Sequence, residues 1–282
     1  MKNSNRDSLK KSLKLIAAIA VTALAGVSSA QASVIKFNPS GTGFPGAIPA
    51  SPGIDAHGSG FVTTGPDQSN PGNYVFSETG AYQLTQADRT SPIGTRDITL
   101  MYSVMGAVNP GTGALNFTGG SINVYSDSAF NFGSASSNPS VVFGANDGVL
   151  IASFLLSGGS GQANGTARFN GNAIAGSIRS GYFFSSTGED LSQTGNLQFA
   201  VDIENIVVSP TANEISEIIC KTSAYPIPGC NGGNYANTPY YFAVRDGGTV
   251  NLSTTVPEPG SMALAFAGLM GLGLSSRRAR KK

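Results

Sequence analysis

Few side chains in this sequence have the types and spacing for covalent chemistry. His57 is the single histidine, in the run Asp55-Ala56-His57-Gly58-Ser59. An acid, an imidazole and a hydroxyl are the parts of a hydrolytic triad, but a triad is assembled by tertiary geometry and not by adjacency. Gly and Pro crowd residues 33–60, so His57 reads as a solvated loop residue. The chain has no Gly-x-Ser-x-Gly elbow, no phosphate-binding Gly-rich motif and no His-Glu-x-x-His. Glu189-Asp190 and the same-face pair Asp202/Glu204 would form a glycosidase pair only if the fold set one acid opposite another. Otherwise they are solvated charge. Asn146-Asp147-Gly148 and Asp246-Gly247-Gly248 offer turn carboxylates to Ca2+, yet neither matches an EF-hand loop. The expectation is a chain with no catalytic residue, no metal centre and no cofactor.

Cys220 and Cys230 are the two cysteines, in CKTSAYPIPGC. No histidine lies near them to complete a four-ligand metal set. In an exported chain, an even pair at this short spacing predicts one disulfide. Aromatic runs at Gly181-Tyr182-Phe183-Phe184 and Pro239-Tyr240-Tyr241-Phe242 put adjacent rings on both faces of a strand. One face packs inside; the other packs at an edge or stacks on sugar rings.

The elements that carry these residues read as strands. Short β-type runs bounded by turn residues recur from Phe61 to Ser253, and no helical period of useful length interrupts them. Leu197, Phe199, Val201 and Ile203 alternate with Gln198, Ala200, Asp202 and Glu204, the pattern of a half-buried strand. Residues 149–156 (VLIASFLL) are almost continuously apolar and read as a central strand. Residues 215–220 read either as a strand or as one or two helical turns. This pattern predicts an all-β fold, a single β-sandwich or jelly-roll-like ectodomain over residues 33–255.

Charge separates the body from the ends. The whole chain is near neutral at +1, but residues 33–256 hold seven cations against 14 acids, a net charge of −7. An acidic body argues against nucleic acid as a partner, since phosphate neutralisation dominates that binding. The basic residues collect at the two termini. Lys2, Arg6, Lys10, Lys11 and Lys14 precede the apolar run LIAAIAVTALAGV at 15–27, and small residues Ala30 and Ala32 follow. These are the three regions of a secretory signal peptide over residues 1–32, cleaved after Ala32, with an uncleaved anchor as the alternative. Such a segment directs export through the Sec machinery.

The last residues, VPEPGSMALAFAGLMGLGLSSRRARKK, mirror that arrangement. The extended motif Val256, Pro257, Glu258, Pro259 comes first, its prolines excluding helix. An apolar run follows, carrying Met262, Leu264, Phe266, Leu269, Met270, Leu272 and Leu274. It is shorter than the roughly 20 residues that span a bilayer comfortably. A basic stop closes the chain with Arg277, Arg278, Arg280, Lys281 and Lys282, and such flanks stay cytoplasmic. A core helix would need no such stop, so the run is predicted to lie in a membrane.

This order of Pro-Glu-Pro, apolar helix and Arg-rich end resembles the PEP-CTERM sorting signal. The resemblance implies recognition and processing at 256–259 by an exosortase, a membrane-embedded cysteine protease or transpeptidase of bacteria that make exopolysaccharide. It also implies transient anchoring in the inner membrane and final residence at the cell surface or in the extracellular matrix. Within the body, NFTGGSINVY at 116–125, GANDGVLIASF at 144–154 and GYFFSSTGEDL at 181–191 are similar to the flocculation-associated PEP-CTERM subgroup. That likeness implies a structural or adhesive role in exopolysaccharide, biofilm or floc. A secreted carbohydrate-binding module and a polysaccharide-acting hydrolase are the competing readings.

Overall fold

Long antiparallel strands dominate the chain, and they close on themselves. The structure is a computed structural model that describes residues 34–50, 54–86, 91–163, 165–223 and 226–254. Residues Ser33–Thr255 form one compact unit. The expected signal peptide, membrane helix, basic stop and sorting motif lie outside the described residues. Among the described residues, no helix is long and apolar enough to cross a membrane.

Eight strands build the barrel: β3 (Ile54–Pro66), β4 (Tyr74–Thr85), β5 (Asp97–Val108), β6 (Ala114–Asp127), β7 (Val149–Gln162), β8 (Gly165–Ala173), β10 (Leu197–Val208) and β11 (Tyr241–Thr254). Each pairs antiparallel with the next in this order. β11 then pairs with β3, from Tyr241↔Thr63 to Val250↔Ile54, and the sheet has no free edge. The remaining strands, β1 (Lys36–Phe37), β2 (Ile48–Pro49) and β9 (Phe183–Phe184), form a separate small sheet.

This closed barrel replaces the sandwich or jelly roll expected from sequence. Both folds demand short-period alternation and frequent turns, so the pattern could not separate them. What separates them is the long-range β3–β11 ladder, which no local run encodes. Glycines inside the strands account for a second difference. β4, β6 and β11 each read as two short strands because Gly80, Gly119-Gly120 and Gly247-Gly248 interrupt them. In the structure these strands run 12, 14 and 14 residues without a break. A glycine within a strand marks a bulge or a close backbone approach. The β5–β6 register slips between Met105 and Gly106, opposite Gly119. Gly120 there has φ 142°, a backbone that L side chains rarely adopt. Residues 54–60, expected as irregular loop, are the first half of β3. Residues 173–179 read as one of the short β-type runs, but β8 ends at Ala173 and the rest lies beyond it.

Inward positions fill the barrel: Leu84, Ile98, Leu100, Val124, Phe154, Phe169, Phe199 and Val201 are all buried. Each such side chain contributes about 1.5–3 kcal/mol by leaving water. Phe37 and Phe183 of the small sheet stack 5.0 Å apart against one end of this core, beside Ile54, Phe154 and Val250.

A second apolar cluster lies outside the barrel wall. Residues 212–222 form one short helical segment, α1, with a wider five-residue turn at Ile215–Ile219. Thr211 caps it: its hydroxyl accepts from Glu214 N at 3.2 Å while Glu214 Oε2 accepts from Thr211 N at 2.7 Å. The helical alternative for residues 215–220 is therefore the one adopted. Ile218 and Ile219 pack on outward Phe61, Ala81 and Ala243. Glu214 also accepts hydrogen bonds from Ser59 of β3 and, at 3.3 Å, from Arg245 of β11, which ties the helix to both strands. Lys221 Nζ donates to Glu217 at 2.7 Å and to the carbonyls of Ser136 and Val141, drawing the β6–β7 connection over the cluster.

Cys220 and Cys230 are joined by a disulfide, Cα atoms 5.3 Å apart, that links α1 to the segment leading into β11. Replacing both by Ser should cost about 2–4 kcal/mol in denaturant unfolding of the full chain, by restoring loop entropy to the unfolded state. A midpoint shift much smaller than that would show that the bridge leaves the fold's stability unchanged.

Candidate functional site

Strand alternation sends every second side chain into the barrel, and some of these are polar. On β4, Glu78 shares its parity with Phe76, Tyr82 and Leu84. On β11, Asp246 shares parity with Val244 and Val250. On β10, Asn205 continues the inward series from Leu197 to Ile203. Glu78, Asp246 and Asn205 are each 3 % exposed. The strands therefore carry two carboxylates and an amide into a closed apolar interior.

Two tyrosines hold the acids. Tyr82 and Tyr102 stack with ring centroids 4.9 Å apart and planes 11° from parallel. Tyr82 OH donates to Asp246 Oδ2 at 2.7 Å. Tyr102 OH donates to Glu78 Oε1 at 2.7 Å and lies 3.2 Å from Asp246 Oδ2. Space for the stacked rings comes from glycines at inward positions. A Cβ at Gly58 would strike the Tyr82 ring, and one at Gly60 or Gly80 would strike the Tyr102 hydroxyl. These are close approaches; none of the three needs a left-handed backbone.

Burial sets the ionisation of this group. Loss of solvation pushes Glu78 up to about 8, the nearby charge of Asp246 adds to the rise, and the Tyr102 hydrogen bond opposes it. Loss of solvation likewise pushes Asp246 up to about 6, against the hydrogen bonds from Tyr82 and Tyr102. Burial, followed by repulsion from the acids, holds both phenols well above their ordinary value, so each keeps its proton to donate. Among the described residues, the ion pairs join Arg168 to Asp202, Lys221 to Glu217 and Arg245 to Glu214. None of them reaches Glu78 or Asp246. Asp246 Oδ1 and Asn205 Oδ1 are buried without a hydrogen-bond partner among the described residues.

Above the acids, one end of the barrel is hollow. A cavity of about 360 Å³ is lined by Val62, Phe76, Val108, Leu115, Phe242 and Val244, with Glu78 and Asn205 among its walls. At the other end, beside Phe37 and Phe183, the free space is only about 10 Å³. An eight-stranded barrel is just wide enough to be filled by side chains or to hold one small ligand. Here one end is filled and the other is not.

Of the residues singled out from sequence, Asp246 belongs to this cluster, within strand β11 and not in the expected turn; the others lie elsewhere. His57 is half-buried on the outer side of β3, its ring 6.3 Å from Phe132, on a strand and not in the expected solvated loop. Asp202 is on the outer wall in an ion pair with Arg168 at 3.3 Å. Asp190 accepts from Ser180 Oγ, Gly181 N and Ser192 N, closing a turn. In the first candidate calcium loop, Asn146 ties together Ser140 and Val142, while Asp147 accepts from Asn131. Among the described residues, no group of three or more potential metal ligands is brought together. Tyr182 is buried at 7 % exposure, so it is no open platform for a sugar ring, whereas Tyr240 is 62 % exposed. The sequence signal that marks Glu78 and Asp246 is a charged residue in phase with the apolar face of its strand, and residue-type motifs do not detect it.

The described chain is thus a closed antiparallel β-barrel with a buried acid–tyrosine cluster beneath one hollow end. Comparison with known families adds the chain's address: the model of the PEP-CTERM protein-sorting motif matches residues 255–278. The chain therefore carries a PEP-CTERM sorting motif, the mark of an exported protein that an exosortase processes. The matched stretch includes Val256 to Pro259, the apolar run and the first arginines of the basic stop. Neither the curated proteins nor the solved structures gave a match.

The raised carboxyls fix the sign of a pH effect. Between about pH 5 and pH 8 the unfolded chain has released protons that folded Glu78, and at the lower end Asp246, still hold. The folded state binds more protons through these two acids, so the stability they contribute is fully present below the ordinary carboxylate range and is lost as pH rises. Unfolding of the full chain by denaturant should show a decline of up to about 1.4 kcal/mol per pH unit from each acid, with both contributing below about pH 6 and Glu78 alone above it. Glu78→Gln should flatten the decline above pH 6. A stability that rises from pH 5 to pH 8 would contradict the burial of these acids.

Proposed function

We propose that this protein is an exported bacterial surface or extracellular-matrix protein, a non-catalytic barrel delivered by its C-terminal tail. The Sec machinery exports it. The run from Met262 to Leu274 holds it in the inner membrane, with Arg277 to Lys282 on the cytoplasmic side. An exosortase acts at Val256 to Pro259, and the barrel passes to the cell surface or matrix. There it serves a structural or adhesive role in exopolysaccharide, biofilm or floc.

One observation carries this reading. The matched sorting motif begins at residue 255, and β11, the strand that closes the barrel, ends at Thr254. The last ladder pair, Leu197↔Thr254, abuts the signal. Cleavage at 256–259 would remove the tail and leave every barrel pair intact. An address placed inside the fold could not be removed in this way.

The test follows the protein in its host. Intact mass of the mature chain should show a C-terminus between residues 254 and 260 and an N-terminus near residue 33. Deleting residues 255–282 should shift the protein from the surface or matrix fraction to the soluble exported fraction and weaken cell aggregation. An unchanged matrix fraction after that deletion, or a full-length tail on the mature protein, would end the proposal.

A further inference from the structure

The hollow end of the barrel has the form of a binding site, independent of how the protein is sorted. Its volume of about 360 Å³ falls within the range of small-molecule pockets. Val62, Phe76, Val108, Leu115, Phe242 and Val244 make its walls apolar. Its polar lining includes Glu78 and Asn205, both buried. Asn205 lines this space, and its buried Oδ1 has no partner among the described residues. Behind Glu78 stands a second acid, Asp246, and no Lys or Arg of the described residues pairs with either.

We propose that this end of the barrel binds a small apolar molecule tipped by a protonated amine, its ammonium seated on Glu78 and Asn205 and its carbon skeleton against the apolar walls. The chemistry of the lining selects the head group. An ammonium has three donors and no acceptor, which matches a site offering a carboxylate and a free amide oxygen. It also supplies the positive charge that two buried carboxylates lack, and a buried charge without a partner is costly. A hydroxyl has one donor and no charge, so it leaves one acceptor unmet. A carboxylate or phosphate head would meet like charge from Glu78 and Asp246.

The groups facing Glu78 are Tyr102 of β5, Tyr82 of its own strand, Asp246 of β11 and Asn205 of β10. Both phenols keep their protons, so Glu78 is the group that must change. It releases its proton to receive the ammonium, and amine affinity therefore rises with pH until Glu78 is ionised in the free protein.

Calorimetric titration of the full chain with octylamine, octanol and octanoate tests this. Octylamine should bind one per chain, about tenfold or more tighter than octanol at pH 8, with octanoate not binding. Octylamine affinity should climb between pH 6 and pH 8 while octanol affinity stays flat. Glu78→Gln should abolish the preference for the amine and keep octanol binding. Val108→Phe, which fills the cavity and leaves the acids in place, should lose both ligands. The proposal fails if octanol or octanoate matches the amine, if the preference survives Glu78→Gln, if Val108→Phe binds undiminished, or if no ligand gives heat. Sorting of the chain would be untouched by any of these failures.

Discussion

The pairing of β11 with β3 is the constraint on which the rest depends. It joins residues near the two ends of the body, Ile54 to Val250 and Thr63 to Tyr241, and turns an open meander into a barrel. An open sheet would expose a row of unpaired backbone donors and acceptors along each edge, a template for aggregation; closure removes it. Three further features hang on the same strand. Asp246 points inward from it to complete the acid pair. Ala243 and Arg245 face outward to meet α1, the first by packing and the second through Glu214. Its last residue, Thr254, stands next to the sorting motif. One strand thus closes the core, brings in one of the two acids of the inner cluster and ends the described fold.

The interior that closure creates is unusual in what it tolerates. Packing Leu or Phe at positions 78 and 246 would serve stability better, since buried acids usually cost more than they return. The molecule instead surrounds them with groups that accommodate them. Three glycines make room for two stacked rings, and the rings aim their hydroxyls at the carboxylates. Those hydrogen bonds offset part of the desolvation, and the raised proton affinity of both acids shows that they do not offset all of it. Partly satisfied polar clusters inside a fold are costly. A cluster of that kind beside an apolar hollow is better understood as a site than as a packing solution.

The β character of the chain, the phase of β10 and the sorting motif are legible because each is written in contiguous residues. Leu197 to Glu204 alternates as expected, inward and outward. The barrel is not legible, because closure depends on a ladder between the first and last long strands of the body. Glycine is the chief reason the strands look shorter than they are. At Gly80 and Gly248 it signals a close approach within a continuous strand, but in a linear scan it has the look of a turn. His57 and Asp202/Glu204 stand out by residue type, and the fold places them on the outer wall. Glu78 does not stand out, and Asp246 stands out only as a turn carboxylate before Gly247-Gly248, whereas it lies inside β11. Their meaning lies in parity, which becomes informative only when the strands on either side of the glycines are joined into one.

Address and cargo are separable because of where the barrel stops. Strand β10 pairs with β11 up to Leu197↔Thr254, and β3 needs β11 only as far as Val250. A cut upstream of Thr254 would shorten the β10–β11 ladder pair by pair and, once it passed Val250, the β11–β3 closure as well. A cut within Val256 to Pro259 removes no ladder pair. The same boundary sets an order of events: the barrel cannot close until β11 is available to β3, and β11 is the segment nearest the membrane-directed tail. A tail that holds this end of the chain in place while the early strands pair would present β11 last.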